Sequence, residues 1–224
     1  MQKKLYLALI YRFFALVIVT LSLLGGLHIL EGRFNPYTFF TYTIQSNLLV
    51  LLFFVVVFVK TVCAAVTKDN TKGGAFCPVF SFAALSAIIL TVLLFWGVMV
   101  PMDYLDVKLG AFSNIGVHLI NPLLMLCDRI LFYRNHTMEK RHVVSLLLFP
   151  CFYIIQAFSL GVTRAVWFAP IGVNAYYVYP FLNPDVLGWL VFPIMIALAM
   201  AMLGLGYVFY YLEKFLFRQK KQPQ

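Results

Sequence analysis

Polar side chains interrupt two otherwise apolar stretches of this sequence, and their types and spacing suit acyl-transfer chemistry. A threonine hydroxyl becomes a nucleophile when a nearby base removes its proton, and an imidazole, with an unperturbed pKa of about 6.5, suits that role. A spacing of three or four residues places side chains on one helical face. Two sets have this spacing: Thr43, Ser46 and Asn47, and Asn114, His118 and Asn121. We predict Thr43 as nucleophile and His118 as base, because His118 is the only histidine well inside an apolar stretch.

The helices that must position this pair are long and strongly apolar. Hydrophobic residues make up 63% and charged residues 11% of the 224 residues, against roughly a half and a quarter in soluble domains. The apolar blocks are long enough for helices that cross a hydrocarbon core of about 30 Å. We therefore predict an all-α fold, in which residues 1–224 form one domain, a bundle of six transmembrane helices. The predicted spans are residues 5–27, 37–59, 79–101, 112–132, 143–162 and 186–211.

The basic residues predict the orientation of this bundle. They concentrate near the N-terminus, after the second and fourth spans and at the C-terminus, whereas the other side holds only Arg33, Lys108 and Arg164. Under the positive-inside rule, both termini face the cytoplasm. The net charge of +9 then complements anionic lipid headgroups. The predicted partners are the lipid bilayer and a membrane lipid, and no nucleic acid.

Depth in the membrane favours the same pair. Thr43 and His118 each lie about seven residues into their predicted spans, or roughly 10 Å below the outer boundary. If the second and fourth helices are neighbours, the hydroxyl and the imidazole come within hydrogen-bond reach. Structural hydrogen bonds between helices, and ligand or proton handling, remain alternatives. Thr41 is a rival nucleophile, although it points away from the face of Thr43.

Several neutral polar residues in the spans are candidates for binding a substrate or a developing oxyanion. A donor at the oxyanion is often worth several kcal/mol, roughly 3, to an acyl-transfer reaction. Gln156 faces either the cavity or another helix. The candidate set is Ser46, Asn47, Asn114, Asn121 and Gln156.

Charged residues in the spans have simpler interpretations. Arg12, close to the start of the first span, is predicted to extend to the cytoplasmic headgroups. Asp128 and Arg129 are predicted to form an anchor at headgroup level near the end of the fourth span. Prolines inside spans predict local kinks that open space between helices. These prolines are Pro122, Pro150 and Pro193.

The predicted outer connections carry further candidates. His28, Glu31, Asp103 and Asp106 are either solvated loop charges or the source of a carboxylate that orients His118. The longest connection, residues 163–185, is rich in aromatic residues and prolines. It is either an aromatic belt at the membrane interface or a lid over a cavity that opens outward.

The cysteines and the one sequon predict no further chemistry. The cysteines are scattered and form no CxxC pair, which argues against a disulfide framework or a zinc site. Residues 135–137 form a glycosylation sequon, but they lie in a predicted cytoplasmic loop. The four cysteines are Cys63, Cys77, Cys127 and Cys151.

Three short motifs, in this order along the chain, resemble the androgen-induced and androgen-dependent TFPI-regulating protein family, especially its bacterial six-helix members. They are residues 42–49 (YTIQSNLL), 118–124 (HLINPLL) and 179–184 (YPFLNP), the last followed by Gly188. The resemblance implies intramembrane hydrolases of fatty acid esters of hydroxy fatty acids, with an intramembrane threonine and histidine as catalytic pair. By motif these residues fall on Thr43 and His118. Residues 44–47 are more polar than in animal members, and the spacing from His118 to Pro122 is one residue tighter, so the implied fold and pair carry over more readily than the substrate.

The leading hypothesis is an intramembrane lipid esterase in the plasma membrane of a bacterium. It uses a threonine nucleophile and a histidine base, and it needs no metal ion or other cofactor. The alternative is a non-enzymatic protein that binds or transports a lipid or small molecule in a polar cavity open to the outer side. A structural or assembly factor is a third possibility.

Overall fold

A computed structural model describes residues 2–69, 71, 73–101, 111–133 and 139–216 of the chain. Within these residues the regular structure is helical, and six helices are long and apolar enough to cross a membrane. This confirms the predicted all-α fold and the predicted number of span-length helices. Asp103, Asp106 and the sequon at 135–137 lie outside the described residues. In chain order the helices are α1 (Gln2–Gly26), α2 (Tyr42–Val66), α3 (Pro78–Met99), α4 (Phe112–Phe132), α5 (Lys140–Val162) and α6 (Pro184–Phe215).

The start of α2 differs most from the prediction. Pro36–Phe40 forms a 3₁₀ helix, Thr41 is extended, and α2 begins only at Tyr42. Thr43 is therefore the second residue of its helix, whereas His118 is the seventh residue of α4. The residue count behind the predicted equal depth is wrong for Thr43 because it included the 3₁₀ segment in the span, but a contact of 3.3 Å places Thr43 and His118 at one level.

Irregular turns interrupt three of the long helices, and a fourth, α3, ends in a π turn at Phe95–Met99. A proline follows each interruption within a few residues. Because proline lacks the N–H that an α-helix needs, local departures from α geometry are expected beside it. The pairs are Pro122 after the π turn Gly116–Ile120, Pro150 after the 3₁₀ turn Ser145–Leu147, and Pro193 after the 3₁₀ turn Gly188–Leu190.

Close packing holds α4 beside both α1 and α2. Small residues permit the approach to α1: a side chain at Gly116 would overlap Ser22, and one at Gly25 would overlap Ser113. Such small-residue contacts are typical of helices that associate in membranes. α3 packs on α2 and α4, while α5 and α6 pack on each other and on α3. The second and fourth helices are thus neighbours, as the predicted pair requires.

Two ion pairs are buried toward the end of the bundle where α1 begins and α6 ends, which we call the terminal end. Arg12 is fully buried; its Nε and Nη2 donate to the Asp128 carboxylate at 2.8 and 3.2 Å, and its Nη1 donates to Thr61 Oγ1 at 2.7 Å. Nη2 of Arg129 donates to both carboxylate oxygens of Glu213, at 2.6 and 2.8 Å. The predicted headgroup anchors are therefore wrong. Each guanidinium instead finds a carboxylate on another helix, which removes the need to reach the headgroups.

The connection between α5 and α6, residues 163–183, folds back onto the bundle. Phe168, Tyr177 and Tyr179 are buried in it, and only Trp167, 44% exposed, resembles a residue of an aromatic belt. The amide of Asn35 holds the connection down by donating to the Pro170 carbonyl at 3.0 Å. The connection is thus a packed cover over the end of the bundle opposite the terminal end.

Candidate active site

Thr43 and His118 meet under this cover, at what we call the site end. Thr43 Oγ1 lies 3.3 Å from Nε2 of His118. Thr43 stands in the first turn of α2 because Thr41 caps that helix. The Thr41 hydroxyl donates to the Thr38 carbonyl at 2.7 Å and accepts the N–H of Ile44 at 3.3 Å. The rival hydroxyl is therefore engaged in capping, and that of Thr43 faces the imidazole.

The imidazole is oriented by a backbone carbonyl. Nδ1 of His118 lies 3.0 Å from the carbonyl oxygen of Asn114, one turn earlier in α4. Because a carbonyl can only accept, Nδ1 carries the hydrogen of the neutral ring, and Nε2 is left as the acceptor that faces Thr43. Glu31, a predicted source of an orienting carboxylate, instead lies 3.2 Å from His28 on the surface.

Residues of the π turn at the end of α3 contact His118 as well. The Phe95 ring stacks on the imidazole of His118, with 3.6 Å between centroids and 13° between planes. The neighbouring Trp96 donates its Nε1–H to the backbone carbonyl of His118 at 3.2 Å. Contacts from α3 therefore fix both the ring and the backbone of His118.

Asn47 and Asn121 join α2 to α4 just below the pair. Nδ2 of Asn47 donates to the backbone carbonyls of Thr43 and Val117, at 2.8 and 3.1 Å, and its Oδ1 accepts from Asn121 Nδ2 at 2.7 Å. Both side chains are fully buried. These hydrogen bonds lie between the helices, neither residue lines the cavity, and the oxyanion role of both stays a prediction. Their contacts hold His118 opposite Thr43.

Ser46 and Gln156 are also placed between helices. The Ser46 hydroxyl lies 2.7 Å from that of Thr91 and ties α2 to α3. Gln156 accepts a hydrogen bond from Gln45 Nε2 at 2.8 Å, which ties α2 to α5. Neither residue is among those that line the cavity beside Thr43, and their contact with a substrate stays a prediction. Spacing along one helix does not show which partner helix a polar side chain meets.

The pair opens into a cavity of about 650 Å³ at the site end. Its walls are formed by the end of α1, the segment that joins α1 to α2, the start of α2, the π turn of α3, the first half of α4 and the connection between α5 and α6. Thr43, His118 and Asn114 supply polar groups to its lining, and residues such as Met99 and Val178 supply apolar ones. This volume lies within the usual range for small-molecule sites, roughly 300–1,000 Å³.

Tyr179 is a further lining residue, and the sequence argument assigned it no role. Its phenol oxygen accepts the N–H of Tyr42 at 3.1 Å. Burial raises the pKa of Tyr179 to about 12, and its polar neighbours, the Thr43 side chain first and then the Tyr42 backbone, limit the rise. In the sequence, only the motif at residues 179–184 marked this position. No helical spacing links residue 179 to residue 43.

This arrangement is able to move a proton from Thr43 to His118 while the threonine oxygen attacks an electrophile in the cavity. The chain matches no family model, and neither a curated protein nor a solved structure matches it. Function must therefore be inferred from the chemistry of the site itself.

Proposed function

We propose that this protein is an integral-membrane lipid esterase in which Thr43 is the nucleophile and His118 the general base. The observation that carries the proposal is the 3.3 Å contact between Thr43 Oγ1 and the acceptor nitrogen of His118. The contact faces a cavity with polar and apolar walls, which suits an ester between two apolar groups. The motifs that resemble the threonine hydrolase family named above support the same two residues.

The reaction proceeds through an acyl-threonine. Thr43 Oγ1 bonds to the ester carbon as its proton passes to His118 Nε2, and the carbonyl electron pair moves to oxygen. The pair then returns, the ester C–O bond breaks, and the leaving alkoxide takes the proton from His118. Water attacks the acyl-threonine and gives a proton to His118, the bond between the acyl carbon and Thr43 Oγ1 breaks, and Thr43 takes that proton as the acid is released. The chemistry needs no metal ion or other cofactor.

The substrate class is an acyl ester of the membrane, such as a fatty acid ester of a hydroxy fatty acid. The distribution of basic residues supports an orientation with the terminal end in the cytoplasm. The site end then faces outward in the plasma membrane of a bacterium, and lipid reaches the cavity from the outer leaflet. Apolar side chains of the cavity would receive the hydrocarbon chain.

Labelling and hydrolysis test the proposal directly. The purified chain in nanodiscs is treated with a fluorophosphonate probe, the labelled residue is identified by mass spectrometry, and hydrolysis of 4-nitrophenyl octanoate is followed. We expect label on Thr43 and loss of both labelling and turnover in Thr43→Val, which keeps the side-chain shape but removes the hydroxyl. The expected loss is roughly 10³-fold or more.

The matched control is Thr67→Val, the same change at an exposed threonine that follows α2 and does not line the cavity. It should retain labelling and turnover close to those of the unaltered chain. Unchanged hydrolysis in Thr43→Val would reject the esterase. If no turnover is found and Thr43→Val alters only the affinity for an octanoyl ester, the cavity belongs to a binding or transport protein.

A further inference from the structure

Tyr179 brings a phenol to the reacting hydroxyl from a different part of the chain. The residue lies in the cover between α5 and α6, yet its oxygen sits at the first turn of α2, where it accepts the Tyr42 N–H at 3.1 Å. It lines the same cavity as Thr43 and His118. The Thr43 side chain is close enough to this phenol to lower its pKa. A substrate carbonyl attacked by Thr43 would therefore lie beside this phenol.

The hydrogen of this phenol is available for donation. Its oxygen already accepts the Tyr42 N–H, and the neighbouring Tyr153 hydroxyl gives its own hydrogen to the Phe40 carbonyl at 3.0 Å. Neither of these two hydrogen bonds uses the hydrogen of Tyr179. With a pKa raised to about 12 by burial, the phenol keeps this hydrogen at neutral pH.

Aromatic contacts hold the phenol in place before any ligand binds. The Tyr179 ring stacks on Phe181, with 5.1 Å between centroids and 9° between planes. On another side it meets the Tyr153 ring at a centroid distance of 6.2 Å. A fixed donor is what oxyanion stabilisation requires, because no energy is then spent on reorientation during the reaction.

We propose that the Tyr179 hydroxyl is the oxyanion donor of the site. The inference rests on the esterase proposed above and replaces the asparagines as the source of this hydrogen bond. When the Thr43 Oγ1–carbon bond forms, the carbonyl electron pair moves onto oxygen, and Tyr179 donates a hydrogen bond to that oxygen without transferring its proton. When the pair returns and the ester C–O bond breaks, the donor is released unchanged. His118 handles the only proton that is transferred.

Tyr179→Phe tests this role, since it removes one oxygen atom and keeps the stacked ring. The matched control is Tyr177→Phe, a buried tyrosine of the same cover that packs against Phe158 and does not line the cavity. In 4-nitrophenyl octanoate hydrolysis we expect kcat of Tyr179→Phe to fall about 10²–10³-fold with KM within a few-fold. Tyr177→Phe should keep its kcat. Thr43→Val is measured in parallel, and thermal melting reports whether each variant is folded.

The outcomes separate the two proposals. If Thr43→Val abolishes turnover while folded Tyr179→Phe keeps kcat within about threefold, the donor assignment is wrong and the esterase stands. If Thr43→Val remains active, both are wrong. Should Tyr179→Phe fail to fold, 3-fluorotyrosine at position 179 keeps the hydroxyl and makes it more acidic. A several-fold change in kcat there, and none with 3-fluorotyrosine at position 177, supports the donor, whereas equal rates at both positions overturn it.

Discussion

The two ends of the bundle bury polar groups in opposite ways. At the terminal end, four charged side chains form two ion pairs in which each carboxylate accepts two hydrogen bonds from an arginine. At the site end, a neutral hydroxyl and a neutral imidazole share one contact of 3.3 Å beside a cavity. The charged groups at the terminal end pair with each other, whereas the site end offers a hydrogen-bond acceptor, a donor and a cavity.

This difference shows that buried charge is a poor guide to the reactive part of this molecule. Ionisable residues within a membrane are a usual first pointer to function. Arg12 and Asp128, however, satisfy each other, so they fasten α1 to α4. The groups with unused capacity are neutral, and they stand where irregular turns and a separate cover leave room. The two ends differ in how far their polar groups are paired with each other and in the presence of a cavity, more than in charge.

The largest effect that separates the ends is expected from His118→Ala. Removing the base should lower kcat for 4-nitrophenyl octanoate by roughly 10²–10⁴-fold. Melting temperature should change little, because the Asn47–Asn121 contact still joins α2 to α4. His142→Ala, a change of a half-buried histidine in the cap at the start of α5, at the terminal end, is the control and should leave kcat intact. Equal losses in the two variants would contradict the assignment of the base.

The terminal end should respond in stability and not in chemistry. Arg12→Met leaves the Asp128 carboxylate buried without its partner, which should lower the free energy of unfolding by about 3–5 kcal/mol. Unfolding in mixed detergent micelles measures this change. In the double variant Arg12→Met with Asp128→Leu, most of the loss should disappear because no lone charge remains. A double variant as unstable as the single one would show that the pair is worth more than its apolar replacement.

Gly116→Ala should change both stability and turnover, because it disturbs the helix packing close to His118. The added methyl group would overlap Ser22 of α1, and we expect a loss of about 1–3 kcal/mol in unfolding free energy. Turnover should fall as well, since α4 carries the base two residues later. Ser22→Gly in the same chain should restore both quantities. Gly204→Ala, where an added methyl group meets open space, is the control and should cause no loss.

The smallest effect is expected from the glutamine pair between α2 and α5. Gln45→Leu leaves Gln156 without this donor and should cost about 1 kcal/mol of unfolding free energy. Because neither side chain lines the cavity, kcat should stay within about twofold. Adding Gln156→Leu should recover part of the stability. A large fall in kcat in Gln45→Leu would support a contact between Gln156 and the substrate.

The sequence predicts well what a single helix determines. Hydrophobic block length located six span-length helices, and α4 has the predicted bounds, Phe112–Phe132. The types and positions of Thr43 and His118 also pointed to the pair that the fold brings together. The residue count that gave the depth of Thr43 was nevertheless wrong, because a short 3₁₀ helix and a capping threonine delay the start of α2.

Most other contacts between helices could not be predicted from the sequence. Arg12 and Asp128 are 116 residues apart in the chain, and neither residue alone indicates that the other lies 2.8 Å away. The same holds for Tyr179, which reaches the start of α2 only because the cover folds back. Spacing within one helix identifies a face, while the partner of that face depends on the packing of the whole bundle.

The π turn Gly116–Ile120 sets a strict condition on the length of α4. Deleting one residue from it would restore an ordinary α-helical ladder and give the helix more regular hydrogen bonding. The same deletion would rotate the residues before it by about 100° relative to those after it. Asn121 would keep its place against Asn47 only if Ser113 and Gly116 left the surface of α1. The more regular helix would thus be the inactive one, and insertions or deletions in this stretch should be far less tolerated than substitutions.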